Sequence, residues 1–197
     1  MIETLGLVAG TGWASGLNLY MATLMLGFAE RLGWADVPDV LARTDVMIVA
    51  GVLFVVEFLA DKVPYLDNLW DAIHTFIRPA GAAALGAVIA GDAGNIGAAL
   101  GAVISGGLAL DAHAAKATTR VVANTSPEPF SNIGLSVVED VGAALLVVLS
   151  LLNPAVAIVV VTILVVAATA LTIWLWRMAR RSWRRIGEQG WLRGARR

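Results

Sequence analysis

Residues 141–176 read VGAALLVVLSLLNPAVAIVVVTILVVAATALTIWLW, which is 36 residues without a charged side chain. A helix needs about 20 apolar residues to cross the hydrocarbon core of a bilayer, so this stretch is long enough for nearly two crossings. Asn153-Pro154 lies near its middle, where a proline ends one helix and can begin the next. The stretch therefore predicts two transmembrane helices joined by a tight turn.

The composition of the whole chain is also that of a protein with transmembrane helices. Of its 197 residues, 58% are hydrophobic and 15% are charged, whereas soluble domains average about 45–50% and about 25%. So much apolar side chain excludes a disordered chain. A net charge of −1 without a basic domain argues against nucleic-acid binding. The sequence has no cysteine, which excludes disulfides and thiol nucleophiles and leaves a multi-pass membrane protein as the predicted class.

Uncharged runs separated by helix breakers predict six transmembrane helices. We expect them at about residues 14–31, 44–63, 73–91, 94–121, 132–152 and 155–185. Helices two and four end alike, at Glu57-Phe-Leu-Ala-Asp-Lys62 and Asp111-Ala-His-Ala-Ala-Lys116. This likeness fits an all-α membrane bundle of three hairpins, although chance similarity between apolar helices explains it equally well. The expected domains are a transmembrane domain over 1–176 and a basic tail over 177–197 that continues the last helix.

A short N-terminal segment precedes the first predicted span. Residues 4–13 are too few to cross a bilayer, so we expect a half-helix or a re-entrant segment. The glycine-rich run from Gly10 to Gly16 is expected to be the break that joins it to the first span. Glu3 stands where a signal peptide carries positive charge, so the segment is not read as a signal peptide.

Basic residues predict the orientation, because cytoplasmic loops carry an excess of Lys and Arg. With six spans and the tail inside, twelve of the 14 basic residues face the cytoplasm, and only Arg31 and Arg43 face outward. Both termini are therefore expected on the cytoplasmic side of a bacterial inner membrane. The tail carries eight arginines from Arg177 to Arg197 and is expected to lie on anionic lipid.

Polar side chains inside the predicted spans are the candidate functional residues. An ionisable group in hydrocarbon costs at least about 2.5–3.5 kcal/mol, so it usually faces the bundle interior or a water-filled cavity. Glu57 and Asp61 share one face of helix two. In the six-span topology the whole set lies in the cytoplasmic half and predicts a polar vestibule that opens inward. The candidates are Ser15, Asn18, Glu57, Asp61, Lys62, His74, Arg78, Asp111, His113, Lys116, Arg120, Asn132, Glu139 and Asp140.

Ion pairs that merely lock the bundle are the structural alternative for any one of these residues. We favour a functional cavity for the set, because Glu57 and Glu139 lie too deep to reach water by extending along the helix. His113 lies among alanines and is expected to be a hydrogen-bonded packing residue. The two histidines do not have HExxH spacing, so we predict neither a metal nor another cofactor.

Four separated motifs carry a family resemblance. They are Ser15–Tyr20 (SGLNLY), Glu57–Pro64 (EFLADKVP), Trp70–Pro79 (WDAIHTFIRP) and Ser126–Asn132 (SPEPFSN). Together they are similar to a family of mostly bacterial membrane proteins known as domain of unknown function 4126. The resemblance runs from about residue 14 to residue 177. It implies a multi-pass membrane protein and supplies no substrate.

The leading functional hypothesis is a small inner-membrane transporter or channel that forms a homo-oligomer. The basic candidates bind an anionic solute or lipid headgroup in this reading, and the buried carboxylates carry a coupling proton or cation. One alternative is a membrane enzyme acting on a lipid or phosphate ester, with His74 or Glu139 as acid or base. No nucleophile–base pair or metal set supports it, and no catalytic residue is assigned. The other alternative is a non-catalytic scaffold whose small-residue helices bind a partner.

Overall fold

The computed structural model describes residues 1–63, 66–123 and 129–194, the side chains of 129–132 and 182–194 excepted. Six helices occupy these ranges: α1 (Ile2–Arg31), α2 (Thr44–Ala60), α3 (Leu66–Ile89), α4 (Gly94–Ala123), α5 (Pro129–Leu152) and α6 (Pro154–Gly194). Short 3₁₀ turns lie at Asp39–Ala42 and Gly91–Ala93. The described residues contain no strand. The predicted all-α helical bundle is confirmed.

Four described stretches are long and apolar enough to cross a membrane: Leu66–Ile89, Gly91–Ala123, Ile133–Leu152 and Pro154–Arg181. α2 has only 17 residues, and α1 is interrupted. The count of six spans therefore stays a prediction. The predicted bounds are close to those of α2, α4 and α5, but α3 begins at Leu66 rather than 73 and α6 runs to Gly194 rather than 185.

α1 is two helices joined at Asn18. This residue has extended backbone angles, φ −151° and ψ 96°, within an element of 30 residues. A straight helix of that length measures about 45 Å, yet Glu3 near its start and Trp34 just beyond its end line the same cavity. α1 therefore folds back at Asn18, which separates a first arm (residues 2–17) from a second arm (residues 19–31).

The structure contains the predicted N-terminal half-helix, but this half-helix does not end in the glycine-rich run. The run from Gly10 to Gly16 is helical, so the break predicted there is wrong. Those glycines instead permit close packing: a Cβ on Gly12 would meet Ser105 of α4, and a Cβ on Gly16 would meet the Ala109 carbonyl. The predicted first span, 14–31, is divided by the Asn18 break.

The first arm of α1 forms the centre of the bundle. Every residue from Val8 to Leu19 is buried, and α1 packs against each of the other five described helices. α3 and α4 make the most extensive helix pair, with Gly86 and Gly101 in backbone contact. The chain thus surrounds one small-residue half-helix with longer apolar helices.

The two termini lie at opposite ends of this bundle. Glu3, Asp92 and Pro154 line one cavity, so they share an end, which we call the N-terminal end. α6 begins there at Pro154 and carries the basic tail to the opposite end, the tail end. This arrangement differs from the predicted one, in which both termini lie on one side, because α1 folds back at Asn18 and its first residues lie at the N-terminal end. The predicted excess of basic residues on the side of the tail does not depend on where the N-terminus lies, since the sequence has no Lys or Arg before Arg31.

Candidate functional site

Charged side chains of α2, α3, α4 and α5 meet around the Asn18 break and form what we call the ionic cluster. Its members are Glu57, Asp61, Asp67, Asp71, Arg78, Lys116, Arg120 and Glu139. Seven of them are at most 3% exposed, and the Glu139 side chain is 12% exposed. Three cations thus face five carboxylates inside the bundle.

The periodicity of two helices brings these groups together. Residues three, four, seven and eleven apart lie on one face of an α-helix. The stripe on α3 is Asp67, Asp71, His74 and Arg78, and the stripe on α4 is His113, Lys116 and Arg120. Because α3 and α4 pack along their length, the two stripes face each other.

Arg78 connects three helices. Its Nη2 lies 2.5 Å from Glu57 Oε1 of α2, and its Nη1 lies 3.1 Å from Asp71 Oδ1 of α3. Nη1 also donates to His113 Nδ1 of α4 at 2.7 Å. Since Nδ1 accepts, the proton of His113 is on Nε2, which donates to Thr75 Oγ1 at 3.1 Å. His113 is therefore a neutral, hydrogen-bonded side chain.

Lys116 and Arg120 hold the tail-end side of the cluster. Lys116 Nζ lies 2.6 Å from Asp61 Oδ2. Arg120 Nη2 lies 2.6 Å from Glu139 Oε2, and Arg120 Nη1 donates to the Asp61 carbonyl at 2.8 Å. Asp61 caps the C-terminus of α2, so Arg120 also satisfies a backbone group at a helix end.

The backbone at the Asn18 break completes the site. Asn18 Oδ1 accepts from the Met21 N–H at 3.0 Å and so caps the second arm, while its Nδ2 donates to Asp140 Oδ1 at 3.0 Å. The Leu17 carbonyl consequently lacks its usual helical donor, and Lys116 Nζ supplies one at 3.1 Å. A helix C-terminus carries partial negative charge, which this ammonium stabilises.

His74 lies beside the cluster and is also neutral. Its Nδ1 is 2.8 Å from the Trp70 carbonyl, which can only accept, so Nδ1 carries the proton. Nε2 then accepts from the Tyr20 hydroxyl at 2.9 Å. Tyr20 lines an apolar cavity of about 460 Å³ between the second arm, α2 and α3.

The cluster has unused acceptor capacity. Within the cluster, three buried carboxylate oxygens have no hydrogen-bond partner among the described groups: Glu57 Oε2, Asp61 Oδ1 and Asp71 Oδ2. Five carboxylates against three cations also leave a formal excess of two negative charges. An unpaired charge is costly at such burial, so the arrangement favours the uptake of protons or cations. With Arg78, Lys116 and Arg120 paired as they are here, no three described His, Asp or Glu side chains are arranged to hold a metal ion.

The structure brings most sequence-predicted residues together and separates others. Within or next to the cluster lie Asn18, Glu57, Asp61, His74, Arg78, His113, Lys116, Arg120, Glu139 and Asp140. Ser15 is buried but bonds only within its own helix, to the Thr11 carbonyl. Lys62 lies at the edge, bonded to the Phe58 carbonyl and Ser136. Asp111 lies elsewhere and accepts from Thr169 of α6, and the Asn132 side chain lies outside the described ones.

Sequence reasoning missed Asp67 and Asp71, because helix three was expected to begin at residue 73. Extending the stripe of His74 and Arg78 upstream by helical spacing would have found both acids. The sequence also predicted a polar vestibule that is open to solvent. The cluster is closed in this conformation, since each cation is buried and paired with carboxylates, and Arg78 and Lys116 also bond carbonyls of the first arm.

A second polar region lies at the N-terminal end. A cavity of about 790 Å³ there is lined by Glu3, Asp36, Asp39 and Asp92, with no Lys or Arg among its lining residues. Ser150, which is buried against Gly10 of the first arm, also lines it. This cavity is therefore an acidic mouth at the end of the bundle opposite the basic tail.

Comparison with known proteins adds one finding. The family model described as Domain of unknown function (DUF4126) matches residues 5–177. The chain belongs to this family. The match includes both arms of α1 and the whole ionic cluster, and it stops where the basic tail begins. No curated protein and no solved structure matches the chain. The family description names no activity, so a functional proposal rests on the site itself.

Proposed function

We propose that this member of the family is a small transporter or channel of a bacterial inner membrane, and that it carries a proton or another monovalent cation, alone or coupled to a solute. The observation that carries the proposal is the ionic cluster, in which three buried cations face five carboxylates. Ionisable groups inside membrane helices usually mark ion pathways. A cluster that only locked a bundle would need balanced charges, whereas this one has capacity for added positive charge.

The broken helix supports the same proposal. Transporters often place their ion sites where a membrane helix is interrupted, because the interruption exposes backbone carbonyls and amides at helix ends. Here the Asn18 break supplies the Leu17 carbonyl to the cluster. The break is also buried in the bundle, where groups of α4 and α5 bond it.

The charge balance favours a cation over the anionic solute suggested by the basic residues. An anion would have to enter among five carboxylates, where only Nε of Arg78 and Nε of Arg120 are donors without a described partner. A proton or cation needs only the unpartnered oxygens of Glu57, Asp61 and Asp71. Rings of acidic side chains attract cations to channel mouths, and the acidic mouth at the N-terminal end fits this chemistry.

Orientation and partners follow from the remaining charges. Lys62 and the arginines after Trp176 favour a cytoplasmic tail end, which leaves the acidic mouth outside. α6 has 41 residues and measures about 61 Å, twice the hydrocarbon thickness of about 30 Å. Its basic end therefore leaves the membrane, where anionic lipids are the proposed partner. Self-association as a homo-oligomer is the second proposed partnership.

Flux into liposomes tests the proposal. Purified protein is reconstituted with a trapped pH-sensitive dye, and internal pH is followed under an imposed H⁺ gradient and, with a protonophore present, under Na⁺ and K⁺ gradients, so that flux of either cation alone also moves protons. We expect flux above that of empty liposomes and its loss in Glu57→Gln. Asp45→Asn is the matched control, because it makes the same change in an exposed pair with Arg43. Wild-type liposomes that behave as empty ones, or Glu57→Gln with full flux, would contradict the proposal.

A further inference from the structure

The oxygen atoms around Lys116 form a cage within the ionic cluster. Nζ lies 2.6 Å from Asp61 Oδ2 and 3.1 Å from the Leu17 carbonyl oxygen. Two further carboxylate oxygens, Glu139 Oε2 and Glu57 Oε1, lie 3.7 Å and 3.9 Å away. These atoms come from α1, α2 and α5, and Lys116 is 2% exposed. The ammonium thus bonds two oxygens, and two further oxygens lie just beyond bonding distance, so that oxygens from three helices are arranged around it.

The Leu17 carbonyl is a backbone oxygen that the Asn18 break makes available to the cage. It is the last carbonyl before the Asn18 break, and the Met21 N–H that would bond it in a continuous helix bonds Asn18 instead. Unwound carbonyls and half-helix C-termini coordinate Na⁺ and H⁺ in membrane transporters. In this protein a lysine ammonium occupies the corresponding position.

The carboxylates of the cage have capacity beyond Lys116. Glu57 Oε2 and Asp61 Oδ1 are buried and have no hydrogen-bond partner among the described groups. Glu57 is 0% exposed and Asp61 is 1% exposed, so solvent does not serve these oxygens. Carboxylate and carbonyl oxygens are the ligands that hard cations prefer.

We propose that this cage is a monovalent-cation site, filled here by the ammonium of Lys116, which takes Na⁺ or K⁺ when that ammonium withdraws. The proposal rests on the proposed function, because it names the site that the moving cation uses. Lysine suits the role, since it is a compact charge on a flexible stem. The planar guanidinium of Arg78, in contrast, is fixed by Glu57 and Asp71 together.

Removal of the ammonium tests the site. Lys116→Ala is purified in choline chloride, and its thermal unfolding in detergent is followed while NaCl or KCl replaces choline at constant ionic strength. We expect a saturable rise in Tm of about 5–10 °C at roughly 100 times the dissociation constant. The wild type should show no such rise, because its own ammonium fills the cage. Lys62→Ala is the control, since it removes an ammonium at the edge of the cluster.

A folded Lys116→Ala protein with the same Tm in Na⁺, K⁺ and choline would overturn the proposal, as would an equal rise in Lys62→Ala. If Lys116→Ala does not fold in choline, Lys116→Met, which keeps an apolar stem, is purified in parallel in the three salts. Folded protein obtained only in NaCl or KCl supports the site, and equal recovery in all three overturns it. Neither readout needs flux, so a failure of transport in liposomes would contradict the proposed function alone.

Discussion

Arg78 shows how single side chains connect the elements of this bundle. Its guanidinium bonds Glu57 and Asp71, and it also reaches the Gly16 carbonyl at 3.4 Å. A guanidinium has five donors in one plane and can serve several acceptors at once, which an ammonium does less rigidly. At 0% exposure none of these acceptors has water as a substitute. The loss of Arg78 would therefore leave several buried groups on three helices unpaired.

Arg78 and Glu57 form an ion pair, and we expect substitution of Arg78 to lower the free energy of unfolding more than substitution of Glu57. Arg78→Gln leaves two buried carboxylates without their cation, and we expect it to lower the free energy of unfolding by about 3–5 kcal/mol. Glu57→Gln removes one of the surplus negative charges and should cost clearly less. Thermal unfolding of both variants in one detergent measures the difference. Equal losses, or a larger loss in Glu57→Gln, would show that the cluster has no excess of negative charge.

The residue scale is also where the sequence was most informative. Glu57 and Glu139 attract notice because an acid in an apolar run is costly unless it has a partner. Their partners could not be assigned, because pairing depends on how α2 and α5 are rotated against α4. Asp67 and Asp71 were missed although their spacing to Arg78 is helical. Because helix three was expected to begin at residue 73, both acids were assigned to a loop, where a charged side chain does not indicate a buried site.

The break in α1 depends on Asn18, which bonds backbone on one side and Asp140 on the other. Asn18→Ala removes the cap of the second arm and leaves Asp140 without this donor. Losing an N-cap costs about 0.5–2 kcal/mol. Asn18→Ser restores an acceptor for the Met21 N–H and should recover part of that loss. Unfolding temperatures of the three proteins test this, and no difference between alanine and serine would argue against a capping role.

Close approach of the first arm to α4 makes a second prediction for this element. A Cβ on Gly16 would meet the Ala109 carbonyl and Ala112, so we expect Gly16→Ala to cost about 1–3 kcal/mol through overpacking. Gly51 of α2 has nothing within 4 Å of such a Cβ among the described atoms. Gly51→Ala should therefore be neutral or slightly stabilising. If both variants unfold like the wild type, the two helices are not packed as tightly as described.

Glycine explains why the position of the break was not predictable. Four glycines between residues 6 and 16 suggest a helix end, since glycine is a poor helix former. Tertiary packing overrides that preference, because only glycine allows α4 and α5 to approach the first arm so closely. Asn18 attracts notice only as a polar residue, and its capping role depends on a donor three residues later that any helix would offer.

The whole molecule predicts that the two termini lie on opposite sides of the membrane. The background has no cysteine, so single cysteines can be introduced at Glu3, Asp92 and Arg180. A membrane-impermeant thiol reagent should label the first two from one side, because both positions line the acidic mouth. Arg180→Cys should be labelled only from the other side. Labelling of Glu3→Cys together with Arg180→Cys, and not with Asp92→Cys, would contradict the fold of α1.

At this scale the sequence predicted the class of fold well and its centre poorly. Length and apolarity are enough to find the long helices, as the stretch from Val141 to Trp176 shows. Which helix lies at the centre is decided by packing between the helices. A helix that is buried on every side is apolar all round, so its apolar periodicity does not reveal its position. The first arm was therefore expected only as a half-helix or re-entrant segment, although all the other described helices pack against α1.

The central position of the first arm has a consequence for how the protein is made. Residues 2–17 leave the ribosome before the residues they pack against, because their neighbours Ser105, Ser150 and Pro154 are synthesised about 90–150 residues later. At the usual rate of about 5–20 residues per second, the arm waits roughly 5–30 s for its partners. During that interval the glycine surface of the arm has no partner helix to pack against. We therefore expect this segment, although it is translated before the helices that enclose it, to enter the membrane after them.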